Sequence, residues 1–385
     1  MTRSALRNIA LMFVFTLGVT SLCCARPPER QQSKGAQQAS QKASFVKFKR
    51  LSIVDKQGTG TEAFSCLMPA DWQFAGGIRW VMDNPGMPAV AAFTLRNPRG
   101  REELEAFPNL SFFWTNNRML LGTFPAGSRY FGSEVRPPVG PVEALKGIVL
   151  PRFRKDVTGL KIISGQRLPD LAKALGAGMQ SGPGVTSTAD AAKLRIEYQK
   201  AGVWMEEEIY GVVELVHFSM PSVYGTVTNT NWMVEHLFSF KAEKGKLDNS
   251  AKVFQTIAYS FRLNPKWFNT YTQVVENLIQ MQIKQIRNIG EISRIISRTH
   301  NEISDKIMQA YNYRQAVNDR IAENFSQYAR GVDGYYNPIE QRPVELPSGY
   351  TNAWTNSLGE YVVSESPAFN PNIGSNLTWH KMERK

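Results

Sequence analysis

Apolar and polar positions change their spacing several times along this 385-residue chain, and each change marks a different kind of element. Residues 26–44 are mostly Pro, Gln, Ser, Lys and Ala with almost nothing to bury, the composition of a flexible tether. From Phe45 the pattern turns to short apolar runs between Gly, Pro and Asn, so 45–49, 64–68 and 89–95 read as strands. Residues 141–150 and 168–175 read as helices, the first with Pro141 in its opening turn. The Gly-rich stretch 176–190 reads as a mobile loop. Three further strands follow at 193–198, 203–216 and 232–241, and 248–260 reads as a helix leading to Phe261-Arg262-Leu263. Strands and helices in this order, without regular βαβ alternation, predict an α+β fold: an antiparallel sheet with flanking helices over residues 45–264.

Beyond Asn264-Pro265 the spacing becomes helical. Asn264 can cap a helix and Pro265 suits its first position. From 267 to 330 there is no proline and Gly290 is the only glycine, and Gly331 supplies a stop. Steps of three and four trace one face from Phe268 to Tyr328, 60 residues in 17 steps, or about 3.5 per step. That is the period of a left-handed coiled coil. Its apolar centre is Ile286, Ile289, Ile296, Ile303 and Ile307, interrupted by Gln282, Ser293, His300 and Arg314. The stripe predicts a long helical, coiled-coil segment over 265–331 that self-associates or pairs with a protein partner. A hairpin bent near Gly290, or a helix lying on the sandwich, would bury the same stripe. Residues 332–385 are rich in aromatics, Asn and Pro; 354–356 and 360–364 read as a hairpin through Ser357-Leu358-Gly359.

Two segments carry a family likeness. Phe64-Ser65-Cys66-Leu67-Met68-Pro69-Ala70-Asp71-Trp72 resembles the "strand, Pro, two residues, Trp" opening of the PsbP/Mog1p-like superfamily. The helix running into Ser260-Phe261 resembles that family's closing element, so the likeness spans residues 45–264. It implies a sandwich of antiparallel sheet and helices, and a non-enzymatic protein that acts by docking onto another protein. None of the family's binding residues can be carried over.

The start of the chain changes where such a protein would work. Arg3 and Arg7 precede the apolar run 9–17 and the small residues 18–21, the order of a secretory signal. The run is shorter than the roughly 20 residues a spanning helix needs. Cleavage after Ala25 would give a periplasmic or secreted protein beginning Arg26-Pro27-Pro28. Acylation of Cys23 or Cys24 would instead tether a lipoprotein to a membrane. Only Cys66 remains downstream, which excludes a disulfide framework. The net charge of +12 favours an anionic envelope surface or an acidic partner, and nucleic acid is not expected for an exported chain.

Catalytic signatures are sparse. The chain holds four histidines and no HExxH, no GxSxG and no phosphate-binding loop, and no cofactor is expected. His217 and His236 could hold a metal only with acidic help such as Glu214 or Glu235. Glu206 and Glu208 would share one face of a strand, with Glu207 on the other. That pair could serve a hydrolase, or could be a solvated face meeting Lys and Arg. Trp354, Asn356 and Tyr361 could stack and hydrogen-bond a glycan, or simply staple a small fold. The reading is of an exported, non-enzymatic docking or assembly module, with a cell-wall or glycan-binding protein or hydrolase as its alternative.

Overall fold

The computed structural model describes residues 45–171, 184–222, 225–279, 305–325 and 331–385. The predicted signal and tether, Cys23 and Cys24, and most of 168–190's helix and loop before Gly184 lie outside them. So do Ile286, Ile289, Ile296 and Ile303.

Among the described residues strand exceeds helix, 50% to 21%. In chain order come β1 (Phe45–Val54), β2 (Glu62–Pro69), β3 (Gln73–Trp80), β4 (Ala89–Arg96), β5 (Glu103–Ala106) and β6 (Leu110–Thr115). Helix α1 (Arg118–Thr123) and the short β7 (Arg129–Tyr130) and β8 (Ser133–Val135) follow. A second helix, α2, begins at Pro141–Ala144 and runs through the π turn Leu145–Val149 into Leu150–Phe153. Then come β9 (Thr158–Arg167), β10 (Val185–Lys200), β11 (Val203–Ser222) and β12 (Gly225–Glu243). After them lie α3 (Ala251–Tyr259), β13 (Arg262–Leu263), α4 (Pro265–Ile279) and α5 (Asp305–Phe325). The chain closes with β14 (Val332–Asn337), β15 (Arg342–Pro347), β16 (Asn352–Asn356), β17 (Glu360–Ser364), β18 (Trp379–Lys381) and β19 (Glu383–Arg384).

These strands make three sheets, ordered β13-β2-β1-β17-β16-β18, β3-β4-β5-β12-β11-β10-β9 and β15-β14-β19, with β6 beside β12 and β8 beside β6. The largest is dominated by the meander β10–β12, whose strands run 16, 20 and 19 residues. Its first turn holds Ala201 and Gly202 at φ 50° and 77°, the two positive angles that match the twist of a two-residue hairpin. The middle of the meander is buried on both faces. On one, Ile209, Val213, Leu194 and Trp232 pack against Leu145, Ile148 and Val149 of α2. On the other, Tyr210, Val212 and Phe240 pack against Trp72, Leu95, Phe254 and Ile257. Under α2 the buried Glu207 is bound by Arg154, whose Nε donates at 2.7 Å while its Nη2 makes a second contact.

The predicted α+β class is therefore corrected to a mostly-β, multi-sheet sandwich, and the coiled coil is not what the stripe builds. Phe268, Val274 and Leu278 of α4 share one apolar cluster with Ile307 of α5 and with Ile78 and Trp80 of β3. In a straight helix Phe268 and Ile307 would lie roughly 58 Å apart; here the Phe268 and Tyr311 rings are 6.3 Å apart. Among the described residues the longest helix is the 21-residue α5. The physical reason is that an apolar stripe records only that something must cover it, and its described ends, at Phe268, Leu278 and Ile307, are covered by this protein's own sheet.

One buried carboxylate fixes that arrangement. Asp55 is 0% exposed and accepts from the indole N–H of Trp80 at 3.0 Å and of Trp267 at 2.9 Å. The backbone N–H groups of Gly58 and Thr59 donate to it as well. Helix α4 starts where Asn264 accepts from the Lys266 N–H, with Pro265 in the first turn. Trp267 then pins that first turn to Asp55.

The C-terminal segment does not stand apart. Strand β17 lies beside β1, with Phe45 opposite Ser364 and Phe48 opposite Tyr361, so the last strands complete the first sheet. The two segments of the family likeness also meet: Ser260 Oγ accepts from the Leu67 N–H at 2.7 Å, and Phe64 and Phe261 lie 5.3 Å apart.

Candidate functional site

Where the first and largest sheets diverge beneath α3, α4 and α5, they leave a chamber of about 270 Å³. Phe64 and Cys66 of β2, Ile78 of β3 and Ala91 and Phe93 of β4 line it, with Phe238 and Phe240 of β12. Ile257 of α3 and Phe268 and Tyr271 of α4 close it from the helical side. Burial pushes the Cys66 thiol up to about 12, so it serves as packing and not as a nucleophile. Charged and hydrogen-bonding side chains gather on one part of the lining: Asn109, Glu235, His236 and Arg314.

That polar wall exists because β12 is bulged. Tyr210 pairs with Phe238 and Val212 with Glu235, so two steps on β11 face three on β12. His236 takes φ 48°, a left-handed conformation uncommon outside glycine. Strand alternation would send His236 to the face opposite Glu235 and Leu237, yet all three line the chamber. The bulge falls where the partner strand changes from β5 to β6, across Phe107-Pro108-Asn109, and the Phe107 N–H donates to the Leu237 carbonyl at 2.9 Å. Opposite the bulge sits Gly211, where an added Cβ would come within 3.0 Å of Leu145 and 3.2 Å of Leu237.

Electrostatics sharpen this wall. Glu235 is 1% exposed, and its Oε2 accepts from Arg314 Nη1 at 2.8 Å. Its Oε1 lies 3.8 Å from His236 Nε2. Burial works against ionising Glu235, but the charges of Arg314 and His236 outweigh it and hold the carboxyl at about 2. The neighbouring Glu214 of β11 has the opposite fate: burial, then the Glu235 charge and the hydrogen bond between the two carboxyls, push it up to about 8. Near neutral pH the pair therefore holds one proton between two carboxyls. Tyr271, on the helical side of the cluster, is pushed up to about 12 by its burial.

Of the described residues singled out from sequence, Glu235 and His236 line the chamber, Glu214 sits behind Glu235, and Ile307 packs in the neighbouring cluster of α4, α5 and β3. Glu206 accepts from Arg195 at 3.4 Å and from the Gly245 N–H at 3.1 Å. Glu208 accepts from the Tyr210 hydroxyl at 2.8 Å and lies 3.6 Å from Lys193. Neither carboxylate lines the chamber: both are engaged in salt bridges further along the same sheet face, where Glu208 pairs with Phe240. Trp354 has Lys381 over its ring at 6.0 Å. Asn356 is 2% exposed and ties its own turn, accepting from the Leu358 and Glu360 N–H groups. Tyr361 is buried, its hydroxyl bonded to Asn337, and it pairs across from Thr355, so it lies on the sheet face opposite Trp354. The three do not form one platform. His217 bonds Thr230 at 2.8 Å, 19 positions along the chain from His236. No group of three or more His, Cys, Asp or Glu placed to hold a metal occurs among the described residues. Ile307 is 9% exposed and packed against the chamber's helices, so it is not free to meet a partner chain.

No family model matches the chain, and comparison with curated proteins finds no match.

Proposed function

We propose that this protein is a non-enzymatic binding module of the cell envelope whose chamber encloses the apolar part of a small amphiphile. The observation that carries the reading is the chamber itself: aromatic and aliphatic walls with the polar groups confined to one side. That is the composition of a ligand pocket, and about 270 Å³ lies near the small end of the roughly 300–1,000 Å³ such pockets span. The signal-like start of the sequence supports work outside the cytoplasm. Burying an octyl chain at about 0.8 kcal/mol per methylene gives about 6 kcal/mol, a dissociation constant on the order of tens of micromolar.

The test is titration of the purified protein with a fluorescent naphthylamine probe, beside an Ala91→Phe variant that fills the chamber. Saturable binding is expected for the natural sequence and at least a tenfold loss, about 1.4 kcal/mol, in the variant. A probe that binds both equally, while both melt cooperatively, would remove the chamber as the site.

A further inference from the structure

The chamber's polar wall is short of one N–H donor. Glu235 is 1% exposed and lines the chamber, and no N–H among the described residues donates to its Oε1, which leaves the proton shared with Glu214 as the hydrogen facing that carboxyl. Its other oxygen is taken by Arg314. The groups facing it are Glu214 from β11, His236 from its own strand, Arg314 from α5 and Tyr271 from α4. Two carboxyls thus share one permanent cation. A buried carboxylate in such a place is stabilised most by a charge-assisted donor delivered on the chamber side.

We infer that the chamber's ligand is an amphiphile headed by an amine, its ammonium group seated against the carboxyl pair of Glu214 and Glu235. The bulge at His236 opens the sheet so that the head reaches Glu235 while the tail lies among Phe93, Phe238 and Phe240. When the ammonium binds, it takes the place of the proton held between the carboxyls. That proton leaves Glu214 for solvent, and no covalent bond of the ligand changes. Because Glu214 releases its proton near pH 8 in the empty chamber, amine affinity should rise as pH climbs from 6 towards 8, by up to about tenfold per unit. An alcohol head of equal length should show little of this dependence, and a carboxylate head should be repelled.

This inference rests on the proposed ligand chamber, and one experiment separates the two. Octylamine, octanol and octanoate are titrated into the full protein by calorimetry at pH 7, in buffers of different ionisation enthalpy, with displacement of the naphthylamine probe recorded in parallel. The amine is expected to bind about tenfold more tightly than octanoate and to release close to one proton. Glu214→Gln, which leaves the Glu235–Arg314 pair in place, is expected to abolish the proton release. Octanoate binding tightest, or the three heads binding alike, overturns the amine head while the chamber stands. If none of the three displaces the probe and the probe itself does not bind, both readings fall.

Discussion

Replacing Asp55 with alanine should destabilise the protein more than any exposed substitution and should also loosen the chamber. The carboxylate holds two indole N–H groups, on Trp80 and Trp267, which are 7% and 6% exposed, and two backbone N–H groups of its own turn. The turn amides can reach water once released; the indoles cannot. At about 1–3 kcal/mol for each buried donor left unpaired, the loss is about 2–6 kcal/mol, from a total that in globular proteins is about 5–15 kcal/mol. Trp267→Phe removes one donor and should cost less. In the double variant the two losses should fall short of their sum, because the second substitution removes a bond already gone. Urea denaturation followed by tryptophan fluorescence measures all four corners of the cycle. Since Trp267 begins α4, which walls the chamber, probe affinity should fall in Asp55→Ala even where the protein remains folded. An Asp55→Ala midpoint within about 0.5 kcal/mol of the natural protein's would refute the anchoring role.

Arg154→Met should cost about 3–5 kcal/mol by stranding the fully buried Glu207, and pairing it with Glu207→Met should recover much of that; equal loss in both contradicts the pairing. Stability should fall as pH rises from about 5 to 8, because the folded Glu214 keeps a proton that the unfolded chain has already released. Glu214→Gln should flatten that slope in denaturant midpoints, and an unchanged slope would assign it to another group. Glu235 acts in reverse: its lowered pKa adds stability above the ordinary carboxylate range, lost as pH falls towards about 2. Ile307→Asp should lower stability by about 2–4 kcal/mol through the cluster shared by α4, α5 and β3; an effect on mass in solution with none on stability would restore the stripe as an intermolecular seam.

Local patterns in the sequence are informative here and long-range pairing is not. Alternation marks the strand cores of 203–216 and 232–241, and Ser357-Leu358-Gly359 marks the β16–β17 turn, where Gly359 takes φ 72°. Nothing local says that β17 will settle beside β1, with Ser364 opposite Phe45. The helical stripe shows the same limit: its period fixes which residues seek cover and leaves open whether the cover comes from a second chain or from β3. The chamber hid for a different reason. Val234-Glu235-His236-Leu237 reads as ordinary strand, and alternation would send His236 away from Glu235. The available signal was Gly211, a lone glycine inside an apolar strand, which often marks a bulge in the partner or a close backbone approach. Pro108 between two strand-like runs was a second, marking the break that the bulge faces.

The most direct measurement of the central claim is where an octylamine tail rests in the folded protein. Intermolecular nuclear Overhauser effects from its methylene protons should reach the methyl groups of Met87, Ala91, Ile257 and Ala258, which share the chamber's walls. They should vanish in Ala91→Phe. Contacts confined to exposed methyls such as Met119, 85% exposed, or Met220, 54% exposed, would place the ligand on the surface and contradict the account.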